Sequence, residues 1–585
     1  MGATASAATR LPGAAGPRGG RWRERLPALA LVAVLGYLVV VPLALLVVAS
    51  FSPTGLPLDP GWSIDNYLRV YRDPGFYRLA LTTLEFALGC MVATLIVGGT
   101  LAWLVERTDL PAKRLCRIMI VVPMVLPPFL LAMGWVLLAS PRTGLLTGLL
   151  QSALGLREGP FNIYSLGGMV FVETLALVPS TFLILSPAFR NMDPALEEAA
   201  MTSGANLAQT IRRIFVPLLT PAILAAATYL LMVGFLVFDV PGTLGMPVGI
   251  FVMSSRILYL ATDQAGGVSA YSQIAAIAMS FLVLLLGLAW LYRRMTRAAG
   301  RFVTVTGKGF RPRQRKLGRA KPLAIAFVAV YFALAVLLPL AVLGWTSLMP
   351  YLTPVSLDSA RLVTLANHRA ALESARVLQA TWNSIWVSML AATLTCALAL
   401  SVSWVVHRTR ARGRGAIDAL AFMPIAIPGV MIGMALVYVY LTLTFVPVYG
   451  TPWILVIAFT TVYLSFASRT TNGALVQLHR DLEDAARVCG AGPLRLLRRI
   501  VVPLMLPALA AVWIWVVAHV VRELSTALLL QGEDNPMLAV LLWSYWSGGE
   551  PTKAAAVGAW LIFLMTIATI AWQLAGRRAH GGRVA

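Results

Sequence analysis

Apolar residues in this chain come in long runs and do not alternate with polar ones. Runs of about 20 apolar residues suit helices that cross a bilayer, because a helix satisfies its backbone hydrogen bonds within itself. Twelve such helices are predicted. Six lie near 26–50, 79–104, 117–140, 164–189, 216–240 and 273–292, and six near 323–346, 382–406, 416–442, 453–475, 501–530 and 554–576. Polar segments separate them, and one recurs. "EEAAMTSGANLAQTIRRIFVP" (Glu197–Pro217) reappears 286 positions on as "EDAARVCGAGPLRLLRRIVVP" (Glu483–Pro503). Between Leu196–Pro221 and Leu482–Pro507, 13 of 26 positions are identical without a gap. A second echo pairs Pro123 and Pro127 with Pro424 and Pro428 in the third helix of each set. Six helices per set give both copies one orientation, so the fold expected is all-α and membrane-integral, about 12 helices in two parallel six-helix repeats.

This pattern divides the chain into a basic tail (1–25), a first unit (26–292), a basic linker (293–322), a second unit (323–576) and a short tail (577–585). The recurring loops occupy 193–217 and 479–503. A mean hydropathy of +0.79 with 12% charged residues excludes a chain of several soluble domains. The net charge of +23 suggests nucleic acid until its positions are read. With the N-terminus inside, the cytoplasmic segments hold 35 of the 47 Lys and Arg, the outer segments ten. That is the positive-inside bias, which places both termini in the cytosol and leaves no case for nucleic acid. The polybasic linker also suits anionic lipid headgroups.

Candidate chemistry is sparse. Cys90, Cys116, Cys396 and Cys489 fall in predicted helices or cytoplasmic segments, so no external disulfide and no metal cluster is expected. "TGKG" in the linker lacks the preceding glycine and following Ser/Thr of a phosphate loop. No catalytic constellation emerges from five histidines. This chain therefore reads as a non-enzyme that binds no cofactor itself.

The repeated segment resembles the EAA loop of binding-protein-dependent ABC importer permeases, of pattern EAA-x3-G-x9-I-x-L-P. The first copy supplies Glu197, Glu198, Ala199, Ala200, Gly204 and Pro217, the second Glu483, Asp484, Ala485, Ala486, Gly490 and Pro503. Valine replaces the leucine in both, and Asp484 replaces the glutamate in the second. Both fall between the fourth and fifth helices of their half, on the basic side. The resemblance implies a type I ABC importer permease fold in a bacterial inner membrane. It also implies two coupling helices that dock a separate ABC ATPase, as a homodimer holding ATP and Mg, and an extracytoplasmic solute-binding protein. The fused format, with "TVTGKGF", "PFNIYSLGGM" and "RELSTALLL", is most similar to ferric-iron-type permeases. Thiamine, polyamine and aminoethylphosphonate permeases are close alternatives.

Ionisable residues inside spans are costly and are functional candidates. Here they are Glu85, Glu173, Asp239, Arg469, Arg522 and Glu523, with Asp418 near an inner end. Asp239, Arg522 and Glu523, on the fifth helices, are the expected path-lining residues. The other class that fits is a secondary transporter of two parallel repeats. Its loop motif belongs between helices 2 and 3, where "VERTDLPAKRL" lacks the glycines.

Overall fold

The computed structural model describes residues 20–55, 61–155, 159, 161–192, 202–204, 206–262, 267–299, 315–353, 357–409, 411–443 and 445–581. Among these, nine helices are long and apolar enough to cross a membrane unbroken. In the first half these are α1 (Ala28–Phe51), α3 (Pro74–Arg107), α6 (Leu166–Arg190), α7 (Arg212–Leu236) and Tyr271–Tyr292 within α10 (Gly267–Ala299). In the second they are α11 (Gly318–Ser347), α13 (Ala375–Arg408), α16 (Pro452–Val476) and α18 (Leu494–Val521). The twelfth predicted span falls in α21 (Pro551–Gly581).

The third span of each half is sharply bent, at the proline pairs that the sequence marks. α4 (Lys113–Val125) meets α5 (Pro128–Ala139) at 95°, and α14 (Arg414–Ala426) meets α15 (Gly429–Thr442) at 112°. The proline pairs are the cause. Pro123 and Pro424 open a 3-10 turn, then Pro127 and Pro428 each take an extended ψ that a helix cannot continue. Beyond the bend, Phe129 to Ala139 and Val430 to Tyr440 are buried without exception. A helix apolar all round belongs in a core, so each half directs one half-helix into the centre.

α3 and α13 are twins. Each has 34 residues and starts behind a side-chain cap, Asp73 Oδ1 accepting from Gly75 N at 2.8 Å and Ser374 Oγ from Val377 N at 3.4 Å. Each spans about 50 Å, far beyond a bilayer's ~30 Å apolar core. α2 (Asp65–Arg72) and α12 (Ala366–Glu373) are their elbows. Asn66 Nδ2 donates to the Ser50 and Ser52 carbonyls at 3.1 and 2.7 Å, and Asn367 Nδ2 to those of Ser347 and Met349 at 3.2 and 2.7 Å. These bonds satisfy carbonyls at the end of the preceding helix.

The first helix of each half packs on the other half. Tyr37 of α1 shares a hydroxyl contact with Tyr440 at 2.8 Å, and Leu31 and Leu35 pack with Val402, Ile417 and Leu464. In return Trp135 Nε1 donates to the Leu334 carbonyl at 3.2 Å, and Tyr331 to that of Leu175 at 3.2 Å. Gly134 is needed here, because a Cβ would lie 2.9 Å from Pro339 Cα. One hydrophobic cluster therefore runs through both halves.

Candidate coupling loop and central break

The second EAA loop is built on a short helix, α17 (Asp481–Val488). Eight residues are too few to hold a helix by propensity alone. Three acids in its first turn, Asp481, Glu483 and Asp484, and Arg487 in its last complement the helix dipole. Its decisive support is tertiary. Glu483 turns inward to a 2.7 Å ion pair with Arg408 Nε, both side chains about 5% exposed. Arg408 ends α13, and its Nη2 donates to the Leu475 and Leu478 carbonyls at 2.9 and 2.7 Å, closing the end of α16. One guanidinium thus ties together α13, α16 and α17.

Asp484, the motif's acidic position, instead faces outward, 64% exposed, and pairs with Arg487 of its own helix at 3.0 Å. Ala486 is buried. Beyond α17, Gly490 N donates to the Arg487 carbonyl and Ala491 N to that of Ala486, each at 3.0 Å. This turn sets Gly490 at φ +79°, and Gly204 has φ +78°. No other group lies within 4 Å of where a Cβ would stand at either glycine, so the requirement is conformational. The loop leaves Val488 89%, Leu494 77% and Leu482 49% exposed, an apolar set of the kind a partner's groove covers.

Pro503 and Pro217 sit within continuous helices, each just after a π turn, Leu497–Val501 and Ile211–Phe215. The wider turn accommodates a residue that cannot donate back along the helix. Glu197, Glu198, Ala199 and Ala200 lie outside the described residues. Arg107, the first-half counterpart of Arg408, is fully buried, donates from Nη1 to the Met192 carbonyl at 3.2 Å and stands 5.9 Å from the Phe215 ring centroid. Neither arginine was singled out from sequence. The available signal was the Arg-Thr pair repeated at 107–108 and 408–409.

Of the expected path residues, Arg522 and Glu523 are not within the fifth helix, because α18 ends at Val521. Both sit in the break that follows, and both are engaged. Arg522 Nη1 donates across the halves to the carbonyls of Met124 (2.8 Å) and Leu126 (3.4 Å), at the α4–α5 bend. Glu523 Oε1 accepts from Ser525 Oγ at 2.6 Å and Thr526 Oγ1 at 3.1 Å, and its Oε2 from Tyr463 at 3.1 Å. Asp239 lies in the matching first-half break, after Leu236, and its Oδ1 is buried without a hydrogen bond among the described residues. Glu173 is 1% exposed with Oε2 similarly unbonded, whereas Glu85 is exposed on α3. Arg469 and Asp418 pair with each other at 3.1 Å. No group of three His, Cys, Asp or Glu among the described residues is placed to hold a metal ion.

Comparison with known proteins agrees with this construction. The ferric transport system permease protein FbpB of Actinobacillus pleuropneumoniae is 26% identical over 460 residues, 77% of this chain and 64% of that protein. Putative ferric transport system permease protein FbpB 1 of Haemophilus influenzae is 27% identical over 420 residues, 70% of this chain and 63% of that one. The Fe(3+)-transport system permease protein FbpB 2 of the same species is 23% identical over 497 residues, 84% and 89% of the two chains. The matches to the first two thus span just under two thirds of those relatives. The model of the binding-protein-dependent transport system inner membrane component matches twice, at residues 94–300 and 395–580. Its two segments begin in α3 and α13, the twin helices that end at Arg107 and Arg408. With more than half of its length matched in two repeats, this chain, helical throughout its spans among the described residues, belongs to the family of binding-protein-dependent transport system inner membrane components.

Proposed function

We propose that this chain is the translocation subunit of an importer for ferric iron, driven by an ATPase homodimer docked on its two EAA loops. An extracytoplasmic binding protein would deliver the iron to the opposite face. The observation that supports docking is the Glu483–Arg408 pair, which fixes α17 to the end of a helix about 50 Å long. A push on α17 then moves α13 as a lever reaching the far surface. Arg408's grip on the Leu475 and Leu478 carbonyls moves α16 with it. Across the halves, Arg522 holds the α4–α5 bend, so the second half's displacement reaches the central half-helix of the first. Closing and opening the ATPase dimer would thereby switch a bistable central gap. Asp239, Arg522 and Glu523 are the proposed lining of that gap. Gly204 and the Glu197–Ala200 segment are the proposed second docking point.

Ferric iron as solute rests on the relatives' names. Two experiments separate the claims. Purified chain, ATPase and binding protein in vesicles are expected to import labelled iron only with ATP, and Arg408→Ala to abolish import and ATPase co-elution. Iron uptake without any ATPase would overturn the docking reading. Calorimetry of the binding protein against ferric iron, thiamine, polyamines and phosphonates tests the solute alone. Binding of another ligand and not iron would replace the solute and leave the docking intact.

A further inference from the structure

At the end opposite the EAA loops, each half has a cavity among its elbow helix, the start of its long second helix and its last helix. In the second half the cavity is about 270 Å³ and apolar, lined by Leu372, Leu378, Trp560 and Phe563 with His368. Its first-half counterpart is about 420 Å³ and is lined by Arg69, Arg78 and Arg256, together with Phe76, Ile277 and Gln273. One carboxylate lines it, Asp73, which accepts from Gly75 N as the cap of α3. Among the described residues none of the three arginines has a carboxylate partner. Arg256 is held by two rings, 5.2 Å from the Phe251 centroid and 5.6 Å from that of Tyr259, so its guanidinium is oriented before any ligand arrives.

The surroundings indicate what such a cavity meets. A chain of rings runs along the elbow, from Trp62 through Phe51, Tyr67, Tyr71 and Phe76 to Tyr77, with centroids 5.2–6.3 Å apart. Trp62 is 75% and Tyr77 58% exposed. Exposed aromatic rings of this kind settle at the headgroup level of a bilayer. α2 is itself amphipathic: Asn66 and Val70 are buried, while Leu68, Arg69, Tyr71 and Arg72 are exposed. Such a helix lies in the interface plane.

We propose that this first-half cavity binds a phosphate group, and that its source is an anionic phospholipid headgroup at the membrane face away from the EAA loops. Guanidinium forks match phosphate oxygens two at a time. The apolar side of the cavity, Phe76 and Ile277, suits the glycerol and first acyl carbons. This inference does not depend on the transported solute. It gives the first half a lipid anchor that the second half lacks, at the start of the long helix α3.

The test is native mass spectrometry of the full chain purified with phosphatidylglycerol. Arg69 and Arg78 are exposed, so R69A/R78A leaves the core untouched, and adding R256A removes the third fork. Wild-type protein is expected to retain phosphatidylglycerol over phosphatidylcholine, and the triple variant to lose on the order of a hundredfold in retention. H368A, in the other cavity, should change nothing. Displacement of the lipid by inorganic phosphate in the wild type but not the variant would assign the same forks to free phosphate. Equal lipid retention in wild type and triple variant would overturn the proposal. So would unchanged lipid retention in a variant that has lost capture by the purified binding protein, since the arginines would then serve protein docking.

Discussion

At the EAA-loop end of its long second helix the first half carries Arg107 and the second half Arg408, both almost fully buried. The fastenings around them differ. In the first half the preceding residue is Glu106, gripped by Arg117 at 2.9 Å and Arg190 at 3.0 Å. In the second half that residue is His407, and the position of Arg117 is taken by Asp418, which pairs with Arg469 on α16. The repeat has kept the joint between the second, third and fourth helices and exchanged the residues that fasten it. What survives is the arginine at the helix end, because it satisfies helix-terminal carbonyls that have no intrahelical partner. The difference teaches that pairwise charges can be swapped between repeats, whereas the carbonyl-capping role cannot.

The largest effect expected follows directly. Arg408→Ala leaves buried Glu483 only the longer 3.8 Å contact with Arg487, a loss approaching the ~3–5 kcal/mol seen when a buried pair is broken. α17 should detach, labelling of exposed Cys489 should change rate, and the ATPase should no longer co-elute. A double Arg408→Met/Glu483→Met variant should recover part of the thermal stability. If Arg408→Ala behaves as wild type, the second half's lock is not what holds the loop.

Next in size is Arg522→Met, which removes the grip on the Met124 and Leu126 carbonyls between the halves. A hydrogen bond from a charged donor is worth about 1.5–3 kcal/mol. The melting temperature in detergent should fall, and labelling of cysteines placed on α5 should accelerate. The first half has no arginine at the matching break, so the same assay on Asp239→Asn should show a far smaller shift.

Gly204 and Gly490 provide a like-for-like test, since both take φ near +79° with open space around them. Replacing either with valine costs about 1–2 kcal/mol of backbone strain, whereas asparagine should be tolerated better. ATPase binding should weaken similarly for both valine variants. A loss confined to Gly490→Val would mean that the two docking points carry unequal load.

How much of this could be read from the residues depends on the length scale. The spans were legible because twenty apolar residues have few alternatives, and the repeat because loop residues align at 286 positions. The bends at Pro127 and Pro428 were legible as prolines, but a proline does not specify the size of the bend, here 95° and 112°. The end of α18 at Val521 was hidden because "RELSTALLL" remains apolar enough to continue a span. Arg408 was missed because a basic residue at a helix end looks like an ordinary topology signal. Arg69, Arg78 and Arg256 are scattered in sequence and meet only through tertiary packing.

The smallest effect concerns the linker, which has no second-half equivalent. Its described end packs on the loop after α3: Arg315 exchanges backbone hydrogen bonds with Arg107 and Asp109, each 2.9 Å. Asp109 also accepts from Leu317 N at 2.8 Å and pairs with Lys321 at 3.0 Å. The Leu317 N–H, and then the Lys321 ammonium, hold the Asp109 carboxyl below its usual range. A depressed carboxyl adds stability that is full above its unfolded value and disappears as the pH falls through the folded one. The clamp should therefore persist through neutral pH and release only below the ordinary aspartate range. Hydrogen exchange of residues 315–321, corrected for its intrinsic pH dependence, should rise there, and Asp109→Asn should raise it only where the wild-type carboxylate is ionised and so flatten the profile. Because Asp109 lies at the surface with 28% of its side chain exposed, the change should be local and leave the melting temperature unmoved. A profile that still bends in Asp109→Asn would place the titrating group elsewhere, and Asp109 would not be what holds the linker to the loop after α3.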